Sequence, residues 1–135
     1  MQDACVCEIV ELHAFFQGWL DGSLPNSDEV FARFAAATAP NFTLIGPDGS
    51  MAHFAATAAW IRAAHGTRPG FQLWTTDHQL QHQDGNCAVV TYREWQTLSG
   101  ATNVRVSTAV FQSDPAAPNG VVCLHVHETW LEKAA

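Results

Sequence analysis

Hydrophobic positions change their period midway along the chain. Up to about residue 65 they recur every three or four residues, and from residue 71 they alternate, so helices precede strands. Asp3–Leu20 places Val6, Ile9, Val10, His13, Phe16 and Leu20 on one helical stripe, widened by Leu12, Phe15 and Trp19. Asp21-Gly22 closes that helix with a left-handed cap. Asn26, with Glu29 three positions on, reads as a capping box for a second helix. Its inner stripe is Val30, Phe31, Phe34 and Ala35, and Pro40 stops it. Short strands at Asn41–Ile45 and Ser50-Met51 flank the turn Gly46-Pro47-Asp48-Gly49. An alanine-rich helix, Ala52–His65, then carries Phe54, Ala58, Trp60 and Ile61. After a break at Gly66–Gly70 come strands Phe71–Gln81, Cys87–Leu98, Ala101–Gln112 and Val121–Leu131. Asp84-Gly85 and Ser99-Gly100 are hairpin loops, and the last connection, Ser113–Gly120, is longer. This order predicts a single α+β domain over residues 1–135, three helices gathered on one face of an antiparallel sheet.

Register decides which side chains share a face. With Ser99-Gly100 as the loop, Leu98 opposes Ala101 and Glu94 opposes Arg105. With Gln112 opposite Val121, Arg105 also opposes Glu128. The same register stacks Tyr92, Ser107 and Val126, then Val90, Ala109 and Leu124, then Ala88, Phe111 and Val122. That is an apolar inner face with its polar groups bunched at one end, as at a pocket mouth. The opposite face, including Thr91, Arg93, Trp95, His125 and His127, is too apolar for bare solvent and is expected to pair with a second copy.

The charged row carries the candidate chemistry. Arg105 would orient both carboxylates or hold a ligand oxygen. One of Glu94 and Glu128, poorly solvated beside a like charge, would have a raised pKa and serve as general base. Tyr92, the only tyrosine, would donate to a developing oxyanion. Phe15, Trp19 and Trp60 from the helices, with Leu124 and Val126 from the sheet, would wall a hydrophobic small molecule. The plainer alternative is a cross-strand ion-pair row worth about 0.2–1 kcal/mol per pair, with the aromatic residues as core. His125-x-His127 has metal-ligand spacing and Cys123 shares its face, but zinc asks for more, so neither metal nor cofactor is expected. No Gly-rich phosphate loop and no Gly-x-Ser-x-Gly elbow is present.

Composition narrows the partners. With 47% apolar and 14% charged residues the chain is not a disordered or fibrous one. Lys+Arg 6 against Asp+Glu 13, a net charge of −7, argues against nucleic acid or an anionic membrane. No apolar run reaches the ~18 residues of a membrane span. Met1-Gln-Asp-Ala-Cys lacks the basic start and apolar core of a signal peptide. The four cysteines, Cys5, Cys7, Cys87 and Cys123, therefore read as reduced thiols of a cytoplasmic protein.

Phe15, Trp19 and Asp21 before a loop, the Pro47-Asp48-Gly49 turn, and the ending His125-Val-His127-Glu-Thr129 together resemble the nuclear transport factor 2-like superfamily. Within it the chain is similar to SnoaL-like proteins and to the association domain of calcium/calmodulin-dependent kinase. The resemblance covers nearly the whole chain and implies a cone. In it a strongly curved sheet wraps round a pocket that the helices close, and pairs of chains assemble through the outer sheet face. Enzymes of that superfamily isomerise or dehydrate small hydrophobic substrates with an Asp or His base and tyrosine or acid donors. Here Tyr92 and the glutamates stand for such groups. The kinase association domain presents arginines inward, where this chain has Tyr92, Ala109 and Glu128, so anion binding does not carry over. The resemblance leaves three functions open: a cofactor-independent isomerase, cyclase or hydrolase, a non-catalytic binding module, and an oligomerisation module.

Overall fold

The elements follow the predicted order in the computed structural model, which describes residues 1–132. They are α1 (Gln2–Asp21), α2 (Asp28–Ala36), β1 (Thr38–Ile45), β2 (Met51–His53) and α3 (Phe54–Ala63). Strands β3 (Gln72–Asp84), β4 (Cys87–Leu98), β5 (Ala101–Ser113) and β6 (Val121–Glu132) follow. They form one sheet in the order β2-β1-β6-β5-β4-β3. All pairs are antiparallel except β1 and β6, which run parallel, a departure from the purely antiparallel sheet expected. No helix among the described residues is long and apolar enough to cross a membrane.

Local chemistry explains the element ends. Gly22 takes φ 84 after α1, and its N–H returns to the Trp19 carbonyl; a side chain there would meet the Gly66 Cα at 3.2 Å. Ser27, not Asn26, caps α2: its Oγ accepts from the Val30 N–H at 3.2 Å, the three-residue reach that a cap requires. Asn26 instead accepts from Arg62 Nη1 at 2.6 Å. Pro40 lies inside β1 rather than beyond α2, in the stretch between Thr38 and Thr43 where pairing with β6 is interrupted and a missing N–H costs nothing.

The helices bury their stripes against one another and the sheet. Trp19 has no exposed surface, stacks on Phe15 at 5.8 Å, and donates its Nε1–H to the Ile61 carbonyl at 2.7 Å. Both rings were expected as ligand walls. They form the core that joins α1, α2 and α3 with Phe34, Ile61 and Phe71, and neither borders the cavity described below. Large side chains wedged between helices leave no face free for a ligand.

The β4–β5 register matches expectation along its whole length, with Glu94 opposite Arg105 and Leu98 opposite Ala101. The β5–β6 register does not. Gln112 opposes Val122 rather than Val121, and a bulge then opposes Phe111 to Cys123 but Val110 to His125. Leu124 is the extra residue. Parity therefore reverses within β6: Val121 and Cys123 face the core, while Val122 and Leu124 face outward and border a separate depression. Leu124 is thus not a wall of the main cavity. Beyond the bulge Val126 and Glu128 face inward as expected.

Because Trp19 is core, Trp19→Ala is expected to cost about 3–5 kcal/mol of stability, read as a lowered urea midpoint. A loss below about 1 kcal/mol would contradict this placement.

Candidate functional site

A cavity of about 470 Å³ lies between the helices and the sheet. Phe16, Phe34, Phe42, Phe71, Phe111 and Val126 give it apolar walls, and Trp60 and Trp130 also line it. Of the five expected ligand walls, Trp60 and Val126 border it and Phe15, Trp19 and Leu124 do not. All four residues of the expected chemical set, Tyr92, Glu94, Arg105 and Glu128, border it as well.

These polar groups form a connected row. Arg105 donates from Nη1 to Glu128 Oε2 at 2.8 Å, and its Nε stands 3.5 Å from Glu94 Oε2. Directly across the strands Arg105 meets Trp130 and Glu128 meets Ser107, so the Arg105–Glu128 contact is diagonal. The guanidinium also lies over the Trp130 ring, 4.5 Å from its centre. Nε is buried and makes no hydrogen bond. Gln96 donates to Glu94 Oε2 at 2.7 Å.

His13 completes the row from α1. Its Nδ1 donates to the Ile9 carbonyl at 2.7 Å, and its Nε2 lies 2.9 Å from Glu94 Oε1. Burial raises the Glu94 pKa, but the hydrogen bond and charge of His13, with the Arg105 charge and Gln96, outweigh it and hold the carboxyl down to about 2. Facing an acceptor at each nitrogen, with Glu94 ionised, the ring is an imidazolium. Burial opposes that charge, yet the Glu94 contact, helped by Ile9 and Glu128, leaves the His13 pKa raised. Glu128 is pushed the other way from Glu94: burial and the Glu94 charge raise it, against Arg105. Of the two glutamates expected to share the role of base, only Glu128 has the raised pKa the role asks for. Tyr92 lies edge-on to His13 at 5.5 Å, and burial, with the two carboxylates, drives its pKa well up, so it stays a neutral donor.

Further members of the site carry signals in the sequence. His13 sits on the apolar stripe of α1, where a polar ring calls for a partner. Gln96 and Trp130 share the even-numbered parity of β4 and distal β6 with Glu94 and Glu128. His78 is turned by a bulge at Asp77 (φ 57) to stack on Tyr92 at 6.2 Å.

The outer face stays clear of the cavity. None of Thr91, Arg93, Trp95, His125 and His127 lines it. Trp95 stacks on Trp74 at 6.2 Å, and His125 pairs with the Thr43 hydroxyl at 2.6 Å. The β6 bulge puts Cys123 on the opposite side from His125, so these two and His127 do not share a face as expected. Among the described residues no group of three or more His, Cys, Asp and Glu is placed to hold a metal ion.

Residues 5–132 match the sequence-family model described as sucrose-6-phosphate phosphohydrolase C-terminal. Sucrose-phosphatase 1 of Nicotiana tabacum is 28% identical over 132 residues, covering 95% of this chain and 31% of that protein. The chain thus spans about a third of the length of the curated relatives it matches. Among solved structures, an NTF-2 like protein of unknown function from Pseudomonas aeruginosa superposes with a TM-score of 0.85 at 26% identity, covering 94% of this chain and 98% of that one. The association domain of C. elegans CaMKII superposes with a TM-score of 0.62 at 15% identity, covering 95% and 97%. The fold is that of the nuclear transport factor 2-like superfamily.

The His13–Glu94 pair sets a pH profile. The folded pKa of His13 exceeds the ordinary 6.5, so its stabilisation is complete below that pH and is lost as pH rises through the folded value. The folded pKa of Glu94 lies below the ordinary 4.5, so its stabilisation is complete above 4.5 and is lost as pH falls towards 2. Glu128, raised from the ordinary 4.5, contributes stability that is complete below 4.5 and is lost as pH rises through its folded value, which draws the maximum toward the acid end of the window. Stability is expected to peak between about pH 4.5 and 6.5. In NMR titrations the His13 ring should titrate above 6.5, and Glu94→Gln should lower that midpoint by roughly 1–3 pH units. An unchanged midpoint would refute the pairing.

Proposed function

From the premise that this chain belongs to the sucrose-6-phosphate phosphohydrolase C-terminal family, we propose that it holds a small amphipathic molecule in its cavity. One observation carries this reading: a buried row of His13, Glu94, Arg105 and Glu128 borders a cavity whose remaining wall is largely aromatic and aliphatic. The apolar wall takes the body of the ligand. Arg105 Nε, a buried donor without an acceptor, takes a carbonyl or similar oxygen.

The relatives named as sucrose-phosphatases suggest a sugar, and the wall argues against one. A disaccharide carries hydroxyls all round, and those facing Phe16, Phe34, Phe42 and Phe111 would go unpaired at about 1–3 kcal/mol each. Two or three such losses outweigh what the row returns.

A catalytic reading has its own observation: Arg105 lies between the two carboxylates, with Glu128 and Tyr92 both bordering the cavity, and burial with the Glu94 charge raises the Glu128 pKa. Glu128 takes a proton from the carbon beside the ligand carbonyl. The charge left on oxygen is met by Arg105, with Tyr92 as a neutral donor nearby, and the proton returns from Glu128 to a carbon. This is cofactor-independent isomerase chemistry. Pairing through the outer face is a separate proposal, favoured by the Trp74–Trp95 stack, with Trp74 40% exposed, and by the hub assembly that the kinase association domains serve.

Methyl naphthyl ketone is a suitable probe, having an apolar body, an acceptor oxygen and exchangeable protons. Titration should change the fluorescence of Trp60 and Trp130, whereas sucrose should not. No response to the ketone, or a response to sucrose alone, would overturn the binding reading. Deuterium uptake at the ketone methyl should fall about a hundredfold or more in Glu128→Gln while the ketone still binds. Equal uptake in both proteins would leave a binding module without this chemistry.

A further inference from the structure

A second buried acid borders the same cavity, away from the row. Glu8, on α1, is 1% exposed and lines the cavity. Its Oε1 accepts from Arg33 Nη2 at 2.9 Å and from Asn119 Nδ2 at 3.1 Å. Its Oε2 is buried without a hydrogen-bond partner, and so is Arg33 Nη1 on the guanidinium that holds it. One ion pair therefore carries both an acceptor lacking a donor and a donor lacking an acceptor. Groups so placed are costly to leave unmet, and native interiors seldom leave them so.

We propose that Glu8 is the second anchor of this cavity and receives a hydroxyl of the ligand at Oε2. Resting on the binding reading above, this narrows the ligand to a molecule with an acceptor oxygen at one end, an apolar middle and a hydroxyl at the other. The choice of hydroxyl follows from charge and valence. Arg33 faces both Glu8 and the half-exposed Glu11, and a ligand ammonium would have to leave water for a buried carboxylate that already has one cation against it. A carbonyl cannot donate to Oε2. A hydroxyl donates to Oε2 and, being neutral, adds no charge to the buried pair. Glu8 and His13 stand about 7.5 Å apart along the α1 axis, a span that a fused pair of aromatic rings bridges.

The test compares methyl naphthyl ketone with its counterpart bearing a hydroxyl at the far end of the ring system, by calorimetry on the 135-residue chain. The hydroxylated ketone should bind about tenfold more tightly or better. Glu8→Gln, which offers N–H groups where the hydroxyl needs an acceptor, should remove that advantage and leave the plain ketone within about twofold. Equal affinities on the native chain, or an advantage that survives Glu8→Gln, would overturn the anchor while the cavity reading stands. If neither ketone binds, both fall. The comparison on the native chain needs no variant to fold, and a second measurement is independent of it. Nuclear Overhauser contacts should place the hydroxyl-bearing ring beside Ile9 and the ketone methyl beside Trp130, and the reverse orientation would overturn the proposal.

Discussion

Four ionisable side chains withdrawn from water govern this structure: His13, Glu94, Arg105 and Glu128. Each comes from a different element, and their side chains are only 8% to 13% exposed. Charges so placed are tolerable only together, because removing one leaves its partner buried and uncompensated. The row therefore latches α1 to β4, β5 and β6. It also borders the cavity. A group held by such a latch cannot swing away, so orientation comes with the fold.

The bulge at Leu124 is what admits Glu128 to this row. The last strand begins opposite Ser113 in a register that would send even-numbered residues outward, and one extra residue restores them to the cavity. Cys123, before the insertion, faces inward, and His125, beyond it, lies on the outer face. A second bulge, at Asp77, lays His78 on Tyr92. Both irregularities lie in strands that border the site, and both re-aim a side chain that an ideal ladder would have turned elsewhere.

Much of the fold was legible because its signals are local. The Gly22 cap, the two hairpin turns and the alternation in β4 and β5 each act over a few residues, and the structure follows them. Less of the site could be read. Glu94 facing Arg105 follows from a two-residue loop, but the diagonal reach from Arg105 to Glu128 depends on a bulge that no turn residue announces. The His13–Glu94 pair joins positions 81 apart, and Glu8 meets Arg33 and Asn119 at separations of 25 and 111. Phe15 and Trp19 show the limit of the stripe argument: periodicity marks a residue as inward, and packing decides whether inward means core or cavity.

Local patterning along the chain suffices for the order and type of the elements, the pairing of β4 with β5, and the inward set on both. Hairpin geometry and side-chain alternation need nothing beyond neighbouring residues. The opposite electrostatic surroundings of the two carboxylates, the aromatic rings that border open space and the second buried acid at Glu8 emerge with the folded chain. Desolvation and charge pairing depend on atoms brought together from distant parts of the chain, and those distances exist only once the helices have closed over the sheet.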